Sequence, residues 1–346
     1  MTQAQRPVSR MARVVIADFI RDDLMPEKQV LAGQATVEAL DAHHEDELIG
    51  RIDDADAIML YHHLALTRKT IQRLTRCRLI VRCGVGVDNV DWRFAAQRGI
   101  AVANVPDYGT EEVADSAIGM MLALTRGIHY LNSILRAGQG AWHYSQARPL
   151  RRLRGRTFAI VGLGRIGSAA ALRAKALGMR VMFYDPPLPD GYDKVLGAQR
   201  VDSLQELLAQ AHVLSLHCPL LPETRHLINE KTLTWLPKGS YLINTARGGV
   251  VDASLIPDAI ASGHLAGAGI DVLEDEPPRQ DDPLLAAWRD PNHPCHHRLI
   301  LNPHSAFYCE EGLMDMRVKG ARACLAAIRG EPVRNVINGV EMRHAC

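Results

Sequence analysis

Short apolar runs alternate with helix-length segments along this chain, and that alternation restricts the possible folds more than any other feature. Arg13–Asp18 (RVVIAD), Asp56–Tyr61 (DAIMLY) and Leu79–Arg82 (LIVR) read as buried strands in the first third. Thr157–Val161, Arg180–Tyr184, Val213–His217, Ser240–Asn244, Leu265–Ile270 and Arg298–Asn302 continue the series beyond the middle. Between the two groups, Glu111–Ala137 is predicted to form one long helix ended by Gly138 and Gly140. A second, Glu310–Arg329, is stopped by Gly330 and Pro332. Apolar runs without polar alternation, spaced by helices, imply parallel sheets covered on both faces. The expectation is an α/β chain of two doubly wound parallel-sheet domains.

A chain of 346 residues is long enough for two domains with ordinary cores. Its 40 Lys and Arg against 39 Asp and Glu leave a net charge of +1, which argues against a nucleic-acid or membrane-surface protein acting by bulk charge. The 7 cysteines (Cys77, Cys83, Cys218, Cys295, Cys309, Cys324, Cys346) form no C-x-x-C pair, so a reducing cytoplasm is expected and not a disulfide framework. The N-terminal apolar run is cut by Asp18, unlike a secretory leader. No stretch is apolar for long enough to suggest a membrane span.

Gly162-Leu163-Gly164-Arg165-Ile166-Gly167 follows one of these strands directly and opens a helix. In that setting the three glycines serve a tight turn, a close approach of backbone to a pyrophosphate, and close packing of helix on strand. The helix N-terminus then faces the phosphates. Asp185 ends the next strand, where a carboxylate accepts from ribose hydroxyls and repels a 2′-phosphate. NAD is therefore the expected cofactor, ahead of NADP.

Three later segments end strands of the same group: Asn244–Gly249, Asp271–Pro277 and Asn302–Phe307. They supply Arg247, Glu276 and His304. A planar guanidinium pairs with a substrate carboxylate and polarises a neighbouring keto group. An imidazole gives or takes the proton as hydride arrives or leaves. A carboxylate on that imidazole fixes its tautomer and favours its protonated form. The three together point to hydride transfer between a dinucleotide and a 2-keto acid.

The long shared stretches VGLGRIG, FYDP, LHCPL, NTARGGVVD, GIDVLEDEP and NPHSAF, with RCGVGVDNVD and NVPDYGTEEVADS upstream, carry a wider resemblance. The chain resembles the D-2-hydroxyacid dehydrogenase family over nearly its whole length, with a particular likeness to the C-terminal-binding-protein branch of NAD-dependent co-repressors. The resemblance implies that Arg247, Glu276 and His304 are the catalytic set and that Asp271 holds the nicotinamide carboxamide. It places Cys218, Pro219, Thr224, Thr245 and Ala246 along the cofactor, beside the glycine turn with Arg165 and Ile166. It implies substrate contacts at His62, Arg82 and the backbone N–H groups near Val85 and Gly86. That branch has Trp three residues after the catalytic His, where this chain has Phe307.

The resemblance also implies a Rossmann domain of residues 116–308, with its linking helices, inserted in a flavodoxin-like substrate domain of residues 1–115 and 309–346. A homodimer built on the Rossmann domain and the linking helices is the implied assembly. Two rival readings are an NAD(H)-sensing module that binds other proteins, and oxidation of another small anion such as formate or phosphite. The stretch His293-Pro294-Cys295-His296-His297 reads as an exposed loop and not a metal site, since no second ligand cluster accompanies it. The arginine run at 148, 151, 152, 154 and 156 reads as solvated surface and not a nucleic-acid contact.

Overall fold

The computed structural model describes residues 10–341. The start of the N-terminal segment and Cys346 lie outside them. The chain separates into two compact units: residues up to Tyr108 together with those from Cys309 onward, and Gly109–Tyr308.

The first unit is built on β1 (Ala12–Ile16), β2 (Ala35–Ala39), β3 (Ala57–Leu60), β4 (Leu79–Arg82) and β5 (Ala101–Asn104). They form a parallel sheet in the order β2-β1-β3-β4-β5, the flavodoxin-like arrangement. All residues of β3 and β4 are buried, as strands covered on both faces must be. The edge strand β2 instead alternates buried and exposed positions, and with β5 it escaped the search for apolar runs.

The C-terminal helix Glu310–Arg329 is fastened to this unit by a buried ion cluster. Arg317 donates from Nε to Glu27 Oε1 at 2.6 Å and from Nη1 to Asp22 Oδ2 at 2.5 Å. The Glu27 side chain is 0% exposed, whereas that of Asp22 is 52% exposed.

The second unit holds β6 (Thr157–Val161), β7 (Arg180–Tyr184), β8 (Gln199–Arg200), β9 (Val213–Leu216), β10 (Ser240–Asn244), β11 (Leu265–Ile270) and β12 (Leu299–Leu301). The order β12-β11-β10-β9-β6-β7-β8 is all parallel and reverses direction between β6 and β9, the topology of a doubly wound Rossmann sheet. Ligands bind such sheets outside the carboxyl ends of the strands.

The helix expected over Glu111–Ala137 is two helices, Thr110–Thr125 and Ile128–Arg136. Gly127 separates them with φ 68°, a left-handed conformation that ends the first helix and starts the second in a new direction. Met120 and Met121 of the first helix are buried in this unit's core. Among the described residues, no helix is long and apolar enough to cross a membrane.

Candidate active site

The glycine turn sits between β6 and the helix Arg165–Ala176. Its glycines differ in what surrounds them. A Cβ on Gly162 would lie 2.7 Å from the Cys218 backbone nitrogen, and one on Gly167 would lie 2.1 Å from the Gly162 carbonyl oxygen. Both positions exclude a side chain through close backbone packing. Gly164, by contrast, has nothing within 4 Å of where its Cβ would stand. The turn is therefore closed toward the protein and open at its middle glycine, where a pyrophosphate would approach.

Asp185, at the end of β7, accepts from the Leu163 N–H through Oδ2 at 2.7 Å. The carboxylate is held against the turn where an adenosine ribose would lie. Cys218 is buried, and burial pushes its thiol up to about 11, so it lines the turn as a neutral group. Thr224 accepts from Leu221 N–H at 2.8 Å and donates to the carbonyl of the exposed Pro219 at 2.6 Å, closing that loop.

Thr245 and Ala246 are buried beyond β10, and Thr245 Oγ1 has no hydrogen-bond partner among the described residues. An orphaned hydroxyl, an open glycine and an anchored carboxylate are features that a dinucleotide would complete. Arg165 and Ile166 form the first turn of the helix that would face its phosphates.

The catalytic candidates follow adjacent strands. Arg247 comes after β10, Glu276 after β11 and His304 after β12, so the carboxyl end of the sheet carries all three. Asn244 Nδ2 donates to the Arg247 carbonyl at 3.0 Å, and its Oδ1 accepts from Ala246 N–H at 3.0 Å. The buried amide thus folds the loop that presents Arg247, whose Nη1 donates to the Ala246 carbonyl at 2.8 Å.

His304 Nδ1 lies 2.6 Å from Glu276 Oε2, while Glu276 Oε1 accepts from Leu273 N–H at 2.8 Å. One carboxylate oxygen is committed to its own loop and the other to the imidazole. His304 adopts φ 50°, a left-handed backbone uncommon outside glycine. Its N–H donates to the Asp271 carbonyl at 2.7 Å. The Asp271 carboxylate accepts from Ser305 N–H at 2.9 Å and from Ala306 N–H at 3.1 Å. Burial pushes that carboxyl above its ordinary range against the pull of these N–H groups. Asp271 thus braces the histidine loop, a role the sequence did not reveal. Phe307 packs edge-on to the imidazole, with ring centroids 6.1 Å apart at 83°.

His62, Arg82, Val85 and Gly86 lie in the first unit, beyond β3 and at or beyond β4. The loop after β4 is tied to its neighbours by Asn89 Nδ2, which donates to the carbonyls of Tyr61 at 2.9 Å and Leu64 at 2.8 Å. The His62 ring lies tilted against Phe19, with centroids 4.9 Å apart, and meets His63 edge-on at 4.7 Å. Arg82 is buried, whereas Val85 is exposed.

The stretch His293–His297 is not the exposed loop expected. Pro294–His297 forms a 3-10 turn with Cys295 fully buried, because its side chains bond inward. His296 Nδ1 meets the Trp288 carbonyl at 2.8 Å, and His297 Nδ1 meets Ser133 Oγ at 2.7 Å. Among the described residues, no group of three or more His, Cys, Asp or Glu side chains is placed to hold a metal.

The D-isomer specific 2-hydroxyacid dehydrogenase NAD binding domain matches residues 118–306, more than half of the chain. D-3-phosphoglycerate dehydrogenase of Methanocaldococcus jannaschii is 33% identical over 95% of this chain and 60% of its own length. C-terminal-binding protein 1 of Caenorhabditis elegans is 31% identical over 95% of this chain and 45% of its own. This chain thus spans about half the length of these two relatives. D-lactate dehydrogenase of Aquifex aeolicus, solved with NAD and lactic acid, superposes with a TM-score of 0.81 at 27% identity, covering 92% of this chain and 96% of that one. The cofactor of the second unit is NAD, and the chain belongs to the D-isomer specific 2-hydroxyacid dehydrogenase family.

Proposed function

We propose that this protein interconverts a 2-keto acid and its D-2-hydroxy acid by hydride transfer. The observation that carries the reading is the 2.6 Å pair of His304 and Glu276, at the same carboxyl end of the sheet as the glycine turn. Bound at that turn, NAD supplies the hydride acceptor or donor. The chain's own residues supply the rest.

Arg247 holds the acid's carboxylate and draws electron density from its keto oxygen. With Nδ1 committed to Glu276, Nε2 of His304 is the atom that gives a proton to the carbonyl oxygen in reduction and takes the hydroxyl proton in oxidation. Glu276 stabilises the charged imidazole between these events. His62, Arg82 and the backbone at Val85 and Gly86 retain their proposed part in holding the acid. Asp271 keeps its proposed contact with the carboxamide. Phe307 forms a wall for the acid's side chain, smaller than the tryptophan of the co-repressor branch.

The likeness to C-terminal-binding protein 1 favours a second reading, an NAD(H)-responsive module that binds other proteins. Assembly as a homodimer is supported by apolar side chains left in solvent after the linking helices begin: Ile128 is 60% exposed, Trp142 88% and Tyr144 68%. A reducing cytoplasm suits the six free thiols among the described residues.

The test follows NADH absorbance with glyoxylate, hydroxypyruvate, pyruvate, phenylpyruvate and a thioether 2-keto acid, with NADPH in parallel. Rapid oxidation of NADH by at least one acid is expected. Tight NADH binding without turnover, and none of formate or phosphite in reverse, would transfer the reading to the sensor.

A further inference from the structure

The proposed hold on the acid draws on loops at the carboxyl end of the first unit's sheet, and two further side chains secure those loops. Asp18 stands two residues beyond β1 and is 0% exposed. Its Oδ1 accepts from the Tyr61 N–H at 2.7 Å and its Oδ2 from the His63 N–H at 2.8 Å. One carboxylate therefore grips the main chain on either side of His62. Asn89 grips the same segment by its carbonyls, donating from Nδ2 to Tyr61 at 2.9 Å and to Leu64 at 2.8 Å.

Three features set these contacts apart from ordinary loop bracing. First, burial pushes the Asp18 carboxyl above its ordinary range against the pull of the two N–H groups. A neutral acceptor would brace a loop at lower cost. Second, Phe19 adopts φ 72°, uncommon for a bulky residue, and its ring packs against those of Tyr61, His62 and His63 with centroids 5.3, 4.9 and 5.1 Å away. Backbone strain of this kind persists where the surrounding structure over-determines it, most often around functional sites. Third, Asn89 belongs to the loop that carries Val85 and Gly86, and the Val85 carbonyl accepts from Asn104 Nδ2 at 2.7 Å. The segments at His62 and at Val85–Gly86 are thereby fixed to one another within one unit.

We propose that Asp18 and Asn89 are positioning residues for the substrate acid: they aim His62, lock it in register with the backbone at Val85 and Gly86, and so set the affinity for the acid. The inference rests on the reading of His62 as a contact to the acid. An imidazole on a loop free to shift loses its fixed direction, and a misplacement of about 1 Å is enough to weaken its hydrogen bond. Neither residue takes part in hydride or proton transfer. Their loss should therefore appear in KM for the acid and leave kcat and the hold on NADH unchanged.

The test is steady-state kinetics of the full chain, with the best acid of the panel and NADH each varied at saturation of the other. His62→Gln should raise KM for the acid about tenfold, and Asp18→Asn and Asn89→Ala should each raise it about threefold or more, with kcat and KM for NADH unchanged. The Asp18→Asn, His62→Gln double variant should show no larger KM than His62→Gln alone, since both changes remove the same contact. A role confined to the fold would instead lower kcat with the active fraction and leave both KM values in place, and that outcome overturns the proposal. So does an additive double variant, or an unchanged KM in Asp18→Asn and Asn89→Ala beside a raised one in His62→Gln; each leaves the dehydrogenase reading intact. Asn89→Ala acts from the other side of the loop and carries the test if Asp18→Asn does not fold. An unchanged KM in His62→Gln removes that residue from the acid's site and the proposal with it, and absence of turnover with every acid sinks the dehydrogenase reading as well.

Discussion

The imidazole Nδ1 of His304 and the carboxylate Oε2 of Glu276 stand 2.6 Å apart, although the two residues follow different strands. The second oxygen of that carboxylate is held by the Leu273 N–H, so the glutamate cannot turn away without losing a bond to its own loop. This is the geometry of an imidazole prepared to carry positive charge briefly. Replacing His304 by Gln should lower kcat by about 10²–10⁴-fold, the usual contribution of a positioned acid–base group, with NADH affinity unchanged. Glu276→Gln retains a hydrogen-bonding group but not the charge, and a smaller loss of about tenfold is expected. Steady-state kinetics with the best acid of the panel decide it; full turnover by the His304 variant would remove the assignment.

The glycine turn offers a contrast between two alanines. In Gly167→Ala the new methyl meets the Gly162 carbonyl at 2.1 Å, and overpacking of this kind costs about 1–3 kcal/mol or more. Its Tm should drop. In Gly164→Ala the methyl meets no protein atom within 4 Å, so the Tm should hold while NADH affinity falls by about tenfold or more. Melting and fluorescence titration of both variants separate packing from ligand approach. Unchanged NADH binding by Gly164→Ala would show that the pyrophosphate lies elsewhere.

Acid stability should be governed in part by His217. Burial holds its imidazole down, to about 4, with Nε2 2.9 Å from Ser215 Oγ. An unfolded chain protonates histidine near pH 6.5, so the unfolded state binds more protons throughout the interval between these values. Stability is therefore fully present above about pH 6.5 and is lost as pH falls toward 4. Melting curves from pH 7 to pH 5 should show a shallower decline for His217→Asn than for the natural chain. Parallel declines would assign the acid limb to other groups.

Arg317 tests burial against distance, since its two carboxylate partners lie at nearly equal separations. Glu27→Gln should destabilise the first unit by about 3–5 kcal/mol, because it leaves the guanidinium short of charge in the interior. Asp22→Asn, at the solvent-exposed side, should cost about 1 kcal/mol or less. Denaturant unfolding of the two variants measures the difference, and equal losses would contradict the argument.

Central strands were legible in the sequence because both their faces are buried. Runs such as DAIMLY and TFAIV contain no solvent-facing positions to interrupt them. Of the strands that escaped notice, the edge strands β2 and β8 carry exposed positions that interrupt an apolar run, whereas β5 is largely buried but is only four residues long and half alanine. The break at Gly127 was hidden because apolar residues continue on both sides of it.

At the site, Arg247, Glu276 and His304 were visible as chemistry at the ends of strands. The part played by Asp271 in bracing Ser305 and Ala306 was not, since it depends on the register of β11 with β12.

The left-handed residue at His304 has a consequence for how such a protein changes over time. The direction of its side chain is set by a main-chain twist and by the bonds that Asp271 makes on either side of it. Neighbouring walls such as Phe307 touch the ring without having to aim it. A pocket arranged in this way can exchange its lining for a larger or smaller acid while the proton still arrives at the same point.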